Sequence, residues 1–211
     1  MHADASNERI HHKVVWGGRA RVAVVLLCTI FLPSCSESIR TGQSSSYLIL
    51  TSLQGSKGGG ANANTLGTSL NSDVITLVPA LTGSPTVFGD SGQAAFQLQM
   101  KDTLDTPTAV NAITLTQYHV KYIRSDGRNV QGVDVPYEFD GGMGFTVSGT
   151  GSVGFTLVRN QAKTEAPLAA LVTNGAVIST IAEVTFYGHD QTGRAVSVSG
   201  RLDINFANWG D

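Results

Sequence analysis

Apolar and polar side chains alternate along much of the chain after residue 46, and this period of two is typical of strands with one buried face. The alternation is cleanest in residues 196–206, where the apolar positions are Val196, Val198, Leu202, Ile204 and Phe206. It recurs in residues 96–101 and 133–140. Pro136 places the latter at a sheet edge, because proline cannot donate to a strand ladder. We therefore predict strands in all three segments.

Two further features refine this pattern. In residues 113–123 the apolar parity switches, which predicts a β-bulge near Thr116 or Gln117. Turn residues at 125–127 (SDG), 149–151 (GTG) and 191–193 (QTG) each lie between two strand-like runs, as hairpin connections do. Only residues 166–173 have helical character. We count about nine strands between Tyr47 and Phe206, with no repeated helix between them.

Short strands joined by glycine-rich turns favour an antiparallel sandwich. Residues 118–122 (YHVKY) and the last hairpin resemble the middle and terminal strands of immunoglobulin and fibronectin type III modules. The resemblance implies an all-β fold for residues 47–211, namely an antiparallel, immunoglobulin-like β-sandwich of about nine strands.

The first 34 residues have a different pattern. Arg19 and Arg21 precede an apolar run of 11 residues, 22–32, which ends just before Cys35. A transmembrane helix needs about 20 apolar residues, whereas the core of a signal peptide needs roughly 7 to 15. Residues 1–34 are therefore predicted to be a signal peptide.

Residues 32–35 (LPSC) resemble the lipobox of bacterial lipoproteins. The resemblance implies that Cys35 carries lipid and becomes the first residue of the mature protein. Ser36, in place of aspartate, then implies the outer membrane, with the domain in the periplasm or at the cell surface. Residues 35–46 would be the lipidated cysteine and a flexible tether. The alternative is an ordinary secretory signal that leaves Cys35 a free thiol.

Cysteine content and net charge argue against a disulfide bond and a nucleic-acid partner in the mature domain. The cysteines are Cys28 and Cys35, so the mature domain has no pair for a disulfide. Residues 1–34 hold four of the 14 basic and two of the 16 acidic residues, which leaves 10 basic and 14 acidic residues, a net charge of −4. Nucleic-acid binding needs a positive patch. The scattered cations therefore argue against a nucleic-acid partner.

Two short motifs resemble known functional motifs, one for dinucleotide binding and one for a catalytic serine. Residues 149–154 (GTGSVG) satisfy the dinucleotide-binding string, but a strand is predicted to follow where that motif needs a helix, so we interpret them as a turn. Residues 89–92 (GDSG) resemble the nucleophile loop of chymotrypsin-like proteases. In that family the catalytic histidine precedes the serine, whereas His119 and His189 both follow Ser91. A triad assembled by folding in another order stays open.

Metal sites have weak support. Two isolated histidines cannot supply three or four zinc ligands without carboxylates. Calcium prefers loop oxygens, and aspartates occur near several predicted strand ends. These are Asp102, Asp105, Asp126, Asp140 and Asp190. No spacing resembles an EF-hand, so we interpret them as turn residues that bond their own backbone.

Two function classes follow. The first is a lipid-anchored envelope protein with a non-catalytic binding or structural domain, attached to the membrane and facing an envelope protein or a glycan. The second is a hydrolase that brings together Ser91, His119 or His189, and an aspartate. We predict the first, with Cys35 as the lipidation site and with no catalytic residue, cofactor or metal ligand assigned.

Overall fold

The computed structural model describes residues 45–210. Of these residues, 55% lie in strands and 9% in helices, so the predicted all-β class is confirmed. The predicted signal peptide, Cys35 and all of the tether before residue 45 lie outside the described residues. The first strand begins at Ser46, one residue before the predicted start of the domain.

Ten strands run along the described chain. They are β1 (Ser46–Ser56), β2 (Ser69–Asp73), β3 (Thr76–Val78), β4 (Ser84–Thr86), β5 (Asp90–Met100), β6 (Ile113–Ile123), β7 (Phe139–Val147), β8 (Thr150–Val158), β9 (Ile178–Asp190) and β10 (Ala195–Ala207). Two short α-helices, α1 (Asn160–Thr164) and α2 (Leu171–Asn174), and two 3-10 turns, Ala109–Asn111 and Leu168–Ala170, complete the structure. None of these helices has the length and apolar character needed to cross a membrane.

The strands form two main sheets and a small hairpin. One sheet has three strands in the order β1-β5-β8, and the other has five in the order β2-β10-β9-β6-β7. The hairpin pairs β3 with β4. All neighbours in the main sheets are antiparallel except β2 and β10, which run parallel. The prediction of a wholly antiparallel arrangement is therefore wrong at this one pair.

Aromatic side chains from the two sheets meet in a shared core. Phe96 of β5 and Phe186 of β9 pack edge to face with ring centroids 5.0 Å apart. Phe155 of β8 contacts Phe186 at 5.4 Å and Tyr118 of β6 at 5.2 Å. Such edge-to-face pairs contribute about 0.5–1.5 kcal/mol beyond the area they bury. The inner faces of both sheets thus build one apolar cluster.

The alternation in β10 is confirmed. Leu202, Ile204 and Phe206 are buried, whereas Arg201 and Asp203 on the other face are exposed. The predicted strand at residues 96–101 is also present, as the second half of β5, with its apolar positions buried. The bulge is confirmed as well, because the register of β6 against both neighbours shifts between Leu115 and Gln117.

The predicted strand at residues 133–140 is wrong for its first six residues. Residues 133–138 form a loop, and β7 begins only at Phe139. The physical reason is local hydrogen bonding: the N–H groups of Val133 and Val135 donate to the carbonyl of Val130, and Gly132 turns the chain with φ 74°. These groups are then satisfied within the loop, so alternation alone does not produce a strand.

The predicted connections have mixed outcomes. Residues 191–193 join β9 and β10 as a hairpin, with Gly193 at φ 79°. Residues 149–151 lie at the β7–β8 connection, but these strands belong to different sheets, so this connection is not a hairpin within one sheet. The helical segment at 166–173 is confirmed by Leu168–Ala170 and α2, whereas α1 was not predicted.

Candidate functional site

A polar depression opens on the outer face of the five-stranded sheet, where β2, β10 and β9 lie side by side. Register places Ser69 opposite Asp203 and Asp203 opposite Ile181. The lining residues are Ser69, Ser125, Ser179, Thr180, Ile181, Asp203 and Asn205. The depression lies at the end of the sheet where β10 finishes and β9 begins, away from the turn that joins these two strands.

The lining is rich in hydroxyl, amide and carboxylate groups. The Ser179 hydroxyl donates to Asn205 Oδ1 over 2.7 Å, and the Asn205 amide donates to Asn71 Oδ1 over 3.3 Å. This chain of bonds fixes the direction of the Asn205 amide. Such groups offer both donors and acceptors to a ligand, and the Ile181 side chain adds an apolar contact in the same depression.

The two candidate histidines lie on this outer face but away from the depression, His119 on β6 and His189 at the far end of β9. His119 of β6 bonds Asp140 of β7 through Nδ1 over 2.9 Å, and its Nε2 lies 3.6 Å from a carboxylate oxygen of Glu138. His189 is exposed near the end of β9 and lies opposite Ala195. His119 therefore has carboxylate partners, as the histidine of a catalytic triad does, but among the described residues this pair still lacks a nucleophile.

The candidate nucleophile is not beside either histidine. Ser91 is exposed on β5, between Ser56 and Thr156 of its neighbouring strands, in the three-stranded sheet. His119 points outward from the other sheet, and the aromatic core lies between the two sheets. A general base must come within about 3 Å of its nucleophile. The described residues thus do not assemble the triad that the sequence left open.

The glycine string at 149–154 is part of a strand. Gly151 and Gly154 belong to β8, which pairs with β5 through Phe96 and Gln93. The dinucleotide motif works where a strand leads into a helix whose amino end receives the pyrophosphate. The prediction that a strand and not a helix follows is confirmed, whereas the predicted hairpin turn is wrong, because β7 and β8 belong to different sheets.

The aspartates considered for calcium lie apart, and the turn interpretation is confirmed for Asp102, Asp126 and Asp190, which accept nearby backbone N–H groups. Asp126 forms ion pairs with Arg124 and Arg128, whose hydrogen bonds hold the pKa of this carboxyl well below its usual range. Asp140 lies within β7 and binds His119 of the neighbouring strand, so the turn interpretation is wrong for this residue. Within residues 45–210, no three residues of the types His, Cys, Asp and Glu form a group that could hold a metal ion.

Asp190 organises the β9–β10 turn. Its Oδ1 accepts hydrogen bonds from the N–H and hydroxyl of Thr192 and from the N–H of Arg194. Burial would raise the pKa of Asp190, but these bonds outweigh it and lower the pKa below its usual value. This carboxylate therefore behaves as the turn aspartate that the sequence predicts.

A buried ion pair that sequence reasoning missed lies at the start of β5. The Lys163 ammonium is 2.9 Å from each oxygen of the Asp90 carboxylate, and both side chains are at most 1% exposed. The ammonium also donates to the main-chain carbonyl of Asp73 over 2.7 Å. Ser72 donates to Asp90 Oδ2 over 2.5 Å, and the Gly58 N–H donates to Oδ1 over 3.1 Å. Every oxygen of the pair thus has a donor besides the ammonium.

Burial lowers the pKa of the Lys163 amine below its ordinary value. The attraction of Asp90 acts in the opposite direction but does not fully offset the effect of burial. Asp90 and Lys163 are 73 residues apart, and Lys163 lies in the unpredicted helix α1. No spacing signal links them. The one available clue was a lone lysine in a segment flanked by apolar residues.

Comparisons of the chain with models of protein families, with curated proteins and with solved structures found no significant match.

Proposed function

We propose that this protein is a lipid-anchored lipoprotein of the cell envelope, whose domain is a non-catalytic binding module with an immunoglobulin-like sandwich fold. Two sheets that share one aromatic core, with outward polar faces, support the sandwich arrangement. The signal-like residues 1–34 and the lipobox-like residues 32–35 support the anchor. The outer membrane is the proposed location, because Ser36 follows the cysteine.

The polar depression is the proposed binding site, and it is the observation that carries the function. Its lining combines hydroxyls, the Asn205 amide, the Asp203 carboxylate and the apolar Ile181. These groups suit a hydroxyl-rich ligand of low charge, because each sugar hydroxyl can both donate and accept a hydrogen bond. We therefore propose a glycan of the envelope as the ligand. The separation of Ser91 from both histidines favours binding over hydrolysis.

Equilibrium binding of the purified protein to isolated envelope polysaccharides tests this proposal. We expect Asp203→Ala and Asn205→Ala each to weaken binding about tenfold or more, which corresponds to about 1.4 kcal/mol. Ser197→Ala is the matched control, since this residue is exposed on the outer face of the same strand but lies toward its opposite end. Equal affinities for all three variants would place the ligand elsewhere. A wild-type protein that binds no envelope polysaccharide would contradict the proposal.

A further inference from the structure

The Lys163 amine and the Asp90 carboxyl are held in a geometry that suits a covalent reaction. A nitrogen that is 2.9 Å from both oxygens of one carboxylate lies within about 3.3 Å of the carbon between them, which is in the range of near-attack contacts. Neither side chain can leave this position easily, because both are buried in the folded domain. We propose that Lys163 and Asp90 condense to an intramolecular amide bond that links α1 to β5.

The surrounding donors match the charge that such a reaction develops. When the amine attacks the carbon of the neutral carboxylic acid, negative charge builds on Oδ1, while the protonated Oδ2 becomes the leaving group. The Gly58 N–H already points at Oδ1, and the Ser72 hydroxyl already points at Oδ2. Donors that are placed before the reaction stabilise a tetrahedral intermediate without reorganisation. The Asp73 carbonyl accepts a bond from the same ammonium and holds the amine in place.

The atoms and charges of the reaction balance without any co-reactant. A proton passes from the ammonium to Oδ2 of the carboxylate, which leaves a neutral amine and a neutral carboxylic acid. The nitrogen lone pair then forms the N–C bond, and a second nitrogen proton passes to Oδ2, with the Ser72 hydroxyl beside it. The C–Oδ2 bond breaks and one water molecule leaves. The products are a neutral amide, which keeps one proton on nitrogen, and water.

Burial favours both the start and the end of this reaction. Desolvation lowers the pKa of the Lys163 amine and so increases the fraction of the nucleophilic neutral form. The ion pair is costly at this depth of burial, because its mutual attraction must repay the desolvation of two charges. Condensation removes both charges and releases one water molecule. The neutral amide is therefore more stable in this buried site than the ion pair.

Peptide mapping of the full-length protein, purified from membranes, tests the proposal. A linked chain resists trypsin at Lys163 and yields residues 58–101 joined to residues 160–194, at the sum of their masses less one water. An unlinked chain is cleaved after Lys163, and residues 58–101 appear alone. Recovery of only the separate peptides from the folded protein would overturn the proposal and leave a simple ion pair.

Three variants sharpen the test. Lys163→Arg keeps the positive charge but has no amine to acylate, so the joined peptides should be lost. Asp90→Asn should give joined peptides of the wild-type mass, because the same amide forms with loss of ammonia. Ser72→Ala should lower the linked fraction, because it removes the hydroxyl that lies beside Oδ2. Joined peptides in the Lys163→Arg variant would show that another residue forms the link and would also overturn the proposal.

Discussion

Tyr118 of β6 lies directly opposite Gly141 of β7, and its ring occupies the space where a side chain at that position would be. A Cβ atom on Gly141 would lie 2.1 Å from the ring carbon Cζ of Tyr118. The ring has little freedom to move away, because it packs against Phe139 and Phe155 and its hydroxyl accepts the Thr156 N–H. The glycine thus allows the aromatic cluster to reach the edge of the five-stranded sheet.

Substitution of this glycine should destabilise the fold. We expect Gly141→Ala to cost about 1–3 kcal/mol by overpacking against the Tyr118 ring. Gly142→Ala is the matched control, since no atom lies within 4 Å of a Cβ at that position, and it should change stability by no more than about 0.5 kcal/mol. Chemical-denaturant midpoints at unchanged slope measure both values. Equal midpoints for the two variants would show that the ring is not held as described.

Neighbouring residues of β10 test the register of the sheet. Ile204 is fully buried and Asp203 is exposed, so Ile204→Ala should cost about 2–5 kcal/mol through lost burial and the cavity it leaves. Asp203→Ala should stay within about 0.5 kcal/mol, because the carboxylate faces solvent. The same denaturant measurement decides between them. A larger loss for Asp203→Ala would mean that the strand presents its other face to the core.

The predictions succeed where a local pattern is enforced by burial. In β10 and β5, each side chain of one face enters the core, so alternation in the sequence translates directly into strand and register. The bulge is readable for the same reason, since an extra residue between Leu115 and Gln117 shifts the parity of apolar positions. In residues 133–138 the same alternation fails, because loop hydrogen bonds satisfy the backbone without a neighbouring strand.

Features that depend on tertiary contacts could not be predicted from the sequence. β2 is short and polar, with Leu70 as its one apolar residue, and it exists as a strand because it lies parallel to β10. The pair of Asp90 and Lys163 depends on how α1 folds back over the start of β5, which no spacing in the chain encodes. The polar depression likewise needs the sheet order before its lining residues become neighbours.

Attachment to the membrane is expected to depend on one residue. Cys35→Ala should abolish incorporation of a fatty-acid analogue during metabolic labelling and should shift the protein from the membrane fraction to the soluble fraction. Cys28→Ala is the control, because the lipobox resemblance assigns lipid to Cys35 and places Cys28 within the removed segment. Equal labelling of the wild type and Cys35→Ala would refute the lipid anchor. Loss of labelling in Cys28→Ala alone would refute the assignment to Cys35.

Tyr122 should make the domain sensitive to alkali. Burial raises the pKa of its hydroxyl above the ordinary value of 10.0. The folded state therefore holds this proton more tightly than the unfolded state. Its contribution to the free energy of unfolding is complete below pH 10 and is lost as the pH rises above that value.

Replacement by phenylalanine isolates this effect. Tyr122→Phe keeps the edge-to-face contact with Phe206 but removes the hydroxyl that donates to the Leu157 carbonyl over 2.8 Å. We expect a loss of about 1–3 kcal/mol at neutral pH, because a buried acceptor is left unsatisfied. Above pH 10 the stability of the variant should fall less steeply than that of the wild type, since one titrating group is gone while all others are shared. Denaturant midpoints across this pH range provide the measurement, and parallel curves for the two proteins would show that Tyr122 ionises freely in the folded state.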